Sequence, residues 1–150
     1  LWSVGEGPEE KHLQDLVQRL GLGASVRFEP IVNRPADILP IFDVFVMPSL
    51  QEGLGLSVME AQAAGVAVVA SDIGGLPDLI EDGKTGMLVP SGQSDVLAQK
   101  IIALLKDPQQ ARAMAIAARA QVEEKFSMEL MVERTIGFYG EFSCEQNTRR

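Results

Sequence analysis

Two glutamates, Glu52 and Glu60, are separated by seven residues that contain two glycines and the start of a predicted helix. Gly53 and Gly55 can adopt backbone angles that other residues resist, and without side chains they let a ligand approach the main chain closely. The first amides of a helix have no acceptor within the helix and lie at the positive end of its dipole. The helix start at Leu56 therefore predicts a site for an anion such as a phosphate.

The two carboxylates indicate what else the ligand carries. Side chains on a helix lean toward its N-terminus, so we expect Glu60 to point back at the opening that Glu52 precedes. Two negative charges would repel a phosphate, but carboxylates accept strong hydrogen bonds from hydroxyls such as a ribose diol or a sugar ring. The pattern therefore predicts a nucleotide that carries a sugar. Solvated carboxylates around an ordinary helix start are the alternative interpretation.

Short apolar runs alternate with helical periodicity along most of the chain. The nearly continuous apolar runs at 44–47 and 66–70 are typical of strands buried on both faces. The alternation predicts the α/β class, a doubly wound Rossmann-like parallel sheet with helices on both faces and a helical C-terminal tail. In such sheets ligands bind beyond the carboxyl ends of the strands. The predicted strands are 1–4, 26–28, 44–47, 66–70 and 85–89, and the predicted helices include 13–20, 35–42 and 56–64, with the methionines at 114, 128 and 131 in the core.

Ordered motifs along the chain resemble the retaining glycosyltransferases with the two-domain GT-B fold, family 4 in particular. The spacing of Glu52 and Glu60 matches the E-x7-E motif of that family. The matching segments, in order, are 4–8, 46–49, 52–61, 64–71, 74–78 and 82–90. Leu54 stands where phenylalanine is usual, Asp78 where glutamate is common, and Pro30 near a usual glycine. As a set these motifs are specific, whereas the glycine-rich pieces alone would be a weak signal.

The resemblance implies a role for each residue of the motif. Glu52 would be the catalytic residue and touch the hydroxyls of the donor sugar, and Glu60 would bind the ribose hydroxyls of a UDP-, GDP- or ADP-sugar. Ile31 would lie near the base. The backbone that holds the diphosphate and the sugar would comprise Gly53, Leu54, Gly55, Leu56 and Ser57. No metal and no cofactor are implied, and Gly74-Gly75 fits a plain tight turn nearly as well as a loop shaped around the donor.

The composition indicates which binding partners and which cellular compartment to expect. A net charge of −8 disfavours nonspecific binding to nucleic acid or to anionic lipid. Cys144 is the single cysteine, so the chain can form neither an intramolecular disulfide nor a thiolate metal cage. A cytoplasmic location is expected, with the inner face of the membrane left open as a second one.

The chain begins Leu1-Trp2-Ser3, and we expect it to be truncated at its N-terminal side. By resemblance, an Arg and Lys pair that binds the diphosphate and an acceptor-binding N-terminal domain would lie upstream. Strands 1–4 and 44–47 would then flank an absent central strand. Three outcomes stay open: direct pairing of the two strands, a gap filled by another chain, or an intermolecular edge contact in a homo-oligomer. Residues 1–143 are expected to form the donor-binding domain and 144–150 a flexible tail.

The sequence thus predicts the donor-binding domain of a retaining glycosyltransferase, which moves a sugar from a nucleotide diphosphate to an acceptor hydroxyl. The fragment alone is expected to lack turnover, because half of the cleft and the basic pair are missing. Two alternatives stay open. One is a non-catalytic nucleotide-binding or folding module, and the other is a different GT-B enzyme such as a nucleotide-sugar epimerase, against which the Glu52–Glu60 spacing argues.

Overall fold

Short parallel strands alternate with helices in the computed structural model, which describes residues 1–147 and the side chains as far as Tyr139. The strands are β1 (Trp2–Val4), β2 (Arg27–Glu29), β3 (Val44–Met47), β4 (Ala67–Ser71) and β5 (Met87–Val89). The helices are α1 (Glu10–Arg19), α2 (Pro35–Ile38), α3 (Leu56–Ala63), α4 (Leu76–Leu79), α5 (Ser94–Lys106), α6 (Pro108–Lys125) and α7 (Met128–Asn147), with a 3-10 turn at Leu39–Ile41. The chain forms two compact units, Leu1–Pro35 and Ala36–Arg150.

The first unit is a β–α–β arrangement. β1 and β2 are parallel, with Trp2 opposite Arg27 and Val4 opposite Glu29, and α1 makes the crossover between them. The guanidinium of Arg27 lies 4.7 Å from the centroid of the Trp2 ring and forms an ion pair with Glu29. A cation over an indole face is attracted by the ring electrons, so both contacts hold the Arg27 side chain at its own sheet.

The second unit is built around β4, all five of whose residues are buried. β3 and β5 flank it in parallel, so the order is β3-β4-β5. Because successive side chains of a strand point to opposite faces, Val68 and Ala70 pack in one core with α3 and α4. Ala67 and Val69 pack in a second core with α5 and α6. Helices therefore cover both faces of the sheet, and the predicted α/β class with parallel strands is confirmed.

The observed strand pairing contradicts one of the three predicted outcomes, the direct pairing of strands 1–4 and 44–47. In the described chain β1 pairs with β2, and β3 pairs with β4, so the direct pairing of strands 1–4 and 44–47 is wrong. A crossover helix brings the two parallel strands that it joins into one sheet, and no crossover helix of the described chain joins β1 to β3 directly. Here α1 joins β1 to β2, and α3 joins β3 to β4. A gap filled by another chain and an intermolecular edge contact stay predictions.

The C-terminal region is helical, as predicted, but its apolar residues are not all in the core. Met114 of α6 is buried, whereas Met128 and Met131 of α7 are 73% and 59% exposed, so the core prediction for these two is wrong. Helical periodicity shows that a helix has an apolar stripe and not that a partner covers it. α7 runs through Asn147, across the predicted boundary at 143. Residues 148–150 lie outside the described part, and the tail at 144–150 stays a prediction.

Candidate functional site

The loop between β3 and α3 carries most of the predicted site. Gly55 is the N-cap of α3 and has a left-handed backbone, with φ of 78°. Its carbonyl accepts the N–H groups of Val58 and Met59 at 3.0 and 3.2 Å. The amides of Leu56 and Ser57, in the first turn, have no acceptor within the helix and point out of its N-terminus. The predicted helix start at Leu56 is therefore present, and two amides at its opening have no acceptor within the helix.

Gly55 is required by packing as well as by its backbone angle. A Cβ at this position would lie 2.5 Å from Leu76 Cδ2 and 3.3 Å from Leu79 Cδ1, both in α4. The side chains of α4 thus occupy the space that a side chain at position 55 would need. α4 therefore packs directly against the N-terminus of α3.

Gly74 and Gly75 bring the loop after β4 into backbone contact with the loop after β3. The Gly75 N–H donates to the Gly53 oxygen at 2.8 Å. A Cβ at Gly74, whose φ is +59°, would collide with the Glu52 oxygen, and one at Gly75 would collide with the Gly53 oxygen. These glycines therefore serve the contact between two loops. Their backbone contacts hold the backbone of Glu52 and Gly53 in place.

The Glu52 side chain is half-buried and held by two donors. The Ser49 hydroxyl donates to Glu52 Oε2 at 3.3 Å, and the Gly53 N–H donates to Oε1 at 3.1 Å. The Ser91 hydroxyl, from the loop after β5, donates to the Ser49 oxygen at 3.0 Å. Loops after β3, β4 and β5 thus meet at one edge of the sheet, where parallel α/β sheets bind ligands.

Glu60 lies on the exposed face of α3. Val58, Ala61 and Gln62 are the buried residues of this helix. Glu60 is about 160° from Val58 around the axis and shares its face with Leu56, four residues earlier. Its carboxylate forms no hydrogen bond and no ion pair with the described residues. Because helical side chains lean toward the N-terminus, the helix directs this carboxylate back toward the opening of α3.

The other predicted site residues are exposed apolar side chains. Leu54 and Leu56 are 54% and 63% exposed, so both lie at the surface beside the N-terminus of α3. Ile31 is 65% exposed and follows β2 in the first unit, whereas every other predicted site residue belongs to the second unit. Within the second unit the structure brings Glu52, the glycines and the first turn of α3 together.

Two basic side chains of the described chain form ion pairs with acidic residues near them in sequence. Lys84 forms an ion pair with Glu81, with Nζ 2.9 Å from Oε2, and Arg27 pairs with Glu29. Among the described residues, no group of three or more His, Cys, Asp or Glu side chains could hold a metal ion. No helix in that part of the chain is long and apolar enough to cross a membrane. The chemistry that the described site offers is hydrogen bonding by amides and carboxylates.

Sequence reasoning missed the residues that support the site from elsewhere in the chain. α4, which packs against Gly55, has only four residues, too few to show a period. Its one local signal is Pro77 in the first turn after Gly75. Ser91 carries no signal, because a serine after a strand is ordinary. Gln62 could have been noticed as a polar residue on an otherwise apolar helix face.

A family model, a curated relative and two solved structures each match most of this chain. Residues 1–121 match the model of the family described as glycosyl transferases group 1. Alpha-maltose-1-phosphate synthase from Mycolicibacterium smegmatis is 40% identical over 114 residues, which cover 72% of this chain and 30% of that protein. The crystal structure of HepE from Anabaena in complex with UDP-glucose is 27% identical, with a TM-score of 0.87, over 93% of this chain and 40% of that one. Sucrose-phosphate synthase from Thermosynechococcus elongatus is 30% identical, with a TM-score of 0.88, over 97% of this chain and 39% of that one.

The chain is much shorter than the relatives that it matches. The chain spans 30% of the maltose-1-phosphate synthase and about 40% of the two solved structures.

Proposed function

The chain belongs to the glycosyl transferases group 1 family, and on that premise we propose that it binds the nucleotide-sugar donor of a retaining glycosyltransferase. Its parallel sheets, flanking helices and helical C-terminal region match structures of GT-B glycosyltransferases. We assign it to family 4 on the E-x7-E motif of Glu52 and Glu60. The proposed reaction moves a sugar from a nucleotide diphosphate to an acceptor hydroxyl with the anomeric configuration kept.

The observation that supports this proposal is a helix start with two free amides, which Glu52 precedes in the loop and Glu60 follows within α3. The amides of Leu56 and Ser57 would bind the diphosphate, since they point out of α3 at the positive end of its dipole. Glu60, which has no partner in the described chain, would accept hydrogen bonds from the ribose hydroxyls. Glu52, held by Ser49 and the Gly53 amide, would accept one from a hydroxyl of the donor sugar.

Catalysis would come from positioning and from stabilising the leaving group. When the bond from the anomeric carbon to the diphosphate breaks, charge develops on the diphosphate, and preorganised amides stabilise that charge. The acceptor oxygen bonds to the anomeric carbon on the face that the diphosphate leaves, and the acceptor's proton passes to an oxygen of the departing diphosphate. Glu52 and the backbone of Gly53, Leu54 and Gly55 would hold the sugar in place during this step, without a metal.

We propose a UDP-sugar as the donor, because HepE was crystallised with UDP-glucose. Ile31 would lie near the base, where Pro30 offers no N–H and contacts would come from other main-chain groups.

An acceptor-binding domain and a basic pair for the diphosphate would lie in further chain, as the greater length of the relatives suggests. The proposed location is the cytoplasm.

The first test is donor binding by calorimetry at pH 7. We expect the 150-residue chain to bind UDP-glucose with a sub-millimolar dissociation constant. Glu60→Ala should weaken binding about tenfold or more, because a charge-assisted hydrogen bond is worth about 1.5–3 kcal/mol. The matched control is Glu124→Ala on α6, which removes an exposed carboxylate that is not part of the proposed site and should leave the affinity unchanged.

Two results would count against the proposal. Absence of binding by UDP-glucose, GDP-mannose and ADP-glucose alike would leave only a folding module. Equal affinity of the wild type and Glu60→Ala would remove Glu60 from the site. We expect no sugar transfer by this chain alone, because the acceptor-binding half of the cleft and the basic pair for the diphosphate would lie in further chain. A radiolabelled-donor assay checks that expectation.

A further inference from the structure

A buried glutamine lies on the same helix as Glu60. Gln62 of α3 is 1% exposed and is surrounded by the apolar core of that face of the sheet. Its Nε2 donates to the backbone oxygens of Leu79 at 3.2 Å and Thr85 at 3.4 Å. Its Oε1 is buried and has no hydrogen-bond partner among the described residues. A buried acceptor without a donor costs stability, which offsets part of what the two hydrogen bonds of Nε2 contribute.

Leu79 links this glutamine to the opening of α3. The Leu79 oxygen accepts the Gln62 amide near the C-terminal end of α3. The Leu79 side chain packs at the other end of the helix, where a Cβ on Gly55 would be 3.3 Å from its Cδ1. One residue of α4 therefore contacts α3 at both ends. This places the N-cap and the buried amide in one connected set of contacts.

The hydrogen bonds of Gln62 restrain α3 in a way that its apolar neighbours do not. Val58 and Ala61 are fully buried, and their packing is close but non-directional. Hydrogen bonds require a short distance and near-linear geometry. Two acceptors on different segments, Leu79 and Thr85, therefore add a directional restraint on the rotation of α3 about its axis. That rotation decides where the Leu56 and Ser57 amides and the Glu60 carboxylate lie.

We infer that Gln62 is a positioning residue of the donor site: its amide sets the rotation of α3 and thereby aims the first amides and Glu60 at the sugar nucleotide. The inference rests on the proposed function, since the rotation of α3 matters to binding only if this helix start holds the donor. Gln62 itself is buried beneath the helix and does not touch the ligand.

The test replaces Gln62 by methionine, which is unbranched, similar in length and unable to donate. We expect the dissociation constant for UDP-glucose to rise about tenfold, because a small misplacement of binding groups is costly. The melting temperature should fall by a few degrees, because the Thr85 oxygen loses its donor. In the ligand-free protein, the ¹⁵N–¹H resonances of Leu56 and Ser57 should shift. A purely structural role would lower the melting temperature and leave the affinity of the folded protein unchanged.

A matched control comes from α6. Gln121 Nε2 donates to the same Leu79 oxygen at 3.2 Å but is on a different helix. Gln121→Met should leave the affinity for UDP-glucose within about twofold and should not move the resonances of Leu56 and Ser57. If Gln62→Met melts below the assay temperature, Gln62→Asn replaces it, because the shorter amide stays polar but cannot span both bonds, and the same loss of affinity is expected.

Three results would overturn the inference. These are wild-type affinity in a folded Gln62 variant, equal losses of affinity in the Gln62 and Gln121 variants, and unmoved resonances of Leu56 and Ser57. Glu60→Ala, measured in parallel, separates this failure from failure of the proposed function. If Glu60→Ala weakens binding and the Gln62 variants do not, the donor site stands and only the role of Gln62 is wrong.

Discussion

The backbone oxygen of Glu52 lies where a side chain at position 74 would begin. Gly74 also has a φ of +59°, a conformation that L-residues adopt only at a cost. Gly74→Ala must therefore both strain its own backbone and push the Glu52 loop away. We expect it to lower the free energy of unfolding by about 3 kcal/mol or more, in the range of severe substitutions, and to weaken UDP-glucose binding. Urea denaturation and calorimetry measure the two effects.

Gly83 provides the control for the loop contact. Its φ is +77°, but a Cβ there would have no atom within 4 Å. Gly83→Ala should therefore cost only the backbone strain, about 1–2 kcal/mol, and leave UDP-glucose binding intact. If the two variants lose the same stability and both keep their affinity, the contact between the loops at 52–53 and 74–75 does not support the site.

Among the elements, those with a local chemical signal could be predicted from the sequence. β3 has its predicted bounds, and α3 begins at Leu56 as predicted. The predicted helix 35–42 is instead a short α2 and a 3-10 turn, because Pro40 has no N–H to donate. The last strand begins at Met87 and not at 85, since the Thr85 hydroxyl accepts the Glu81 N–H at 2.8 Å in a turn. These differences depend on hydrogen bonds that apolar periodicity does not encode.

The N-terminus of α6 gives a test at the scale of one element. Asp107 is its N-cap, and Asp107 Oδ1 accepts the Gln110 N–H at 2.9 Å. Asp107→Ala removes that acceptor and should lower the free energy of unfolding by about 1 kcal/mol. Asp107→Asn keeps a side-chain oxygen at the cap and should stay within about 0.5 kcal/mol of the wild type. Thermal and urea denaturation compare the pair, and equal losses would show that the cap bond is not what stabilises this helix start.

In the molecule as a whole, the part of the site that could be predicted is contiguous in sequence. Glu52, the glycines and Glu60 come from one loop and the helix after it, so a motif could reveal them. The supporting groups come from other loops: Gly74 and Gly75 after β4, Leu79 at the end of α4, and Ser91 after β5. Their contacts depend on which strands pair and in what register, and short sequence patterns do not determine pairing.

The charge of the molecule bears on how it holds an anion. The chain carries a net charge of −8, and the carboxylates of Glu52 and Glu60 lie at the proposed site itself. UDP-glucose adds about two negative charges, whereas a helix N-terminus supplies only about half a positive charge. Long-range repulsion should therefore oppose binding, while short-range hydrogen bonds from amides favour it.

Salt separates these two contributions, because it screens the long-range one. The Debye length falls from about 30 Å at 0.01 M to about 8 Å at 0.15 M ionic strength, whereas contacts within the site are screened much less. We therefore expect this chain to bind UDP-glucose on the order of twofold more tightly at 0.15 M than at 0.01 M KCl. Uridine, which is uncharged, should show no such dependence. Binding that weakens several-fold with salt would mean that lysine or arginine side chains hold the diphosphate, and the amides of α3 would not then be its principal ligands.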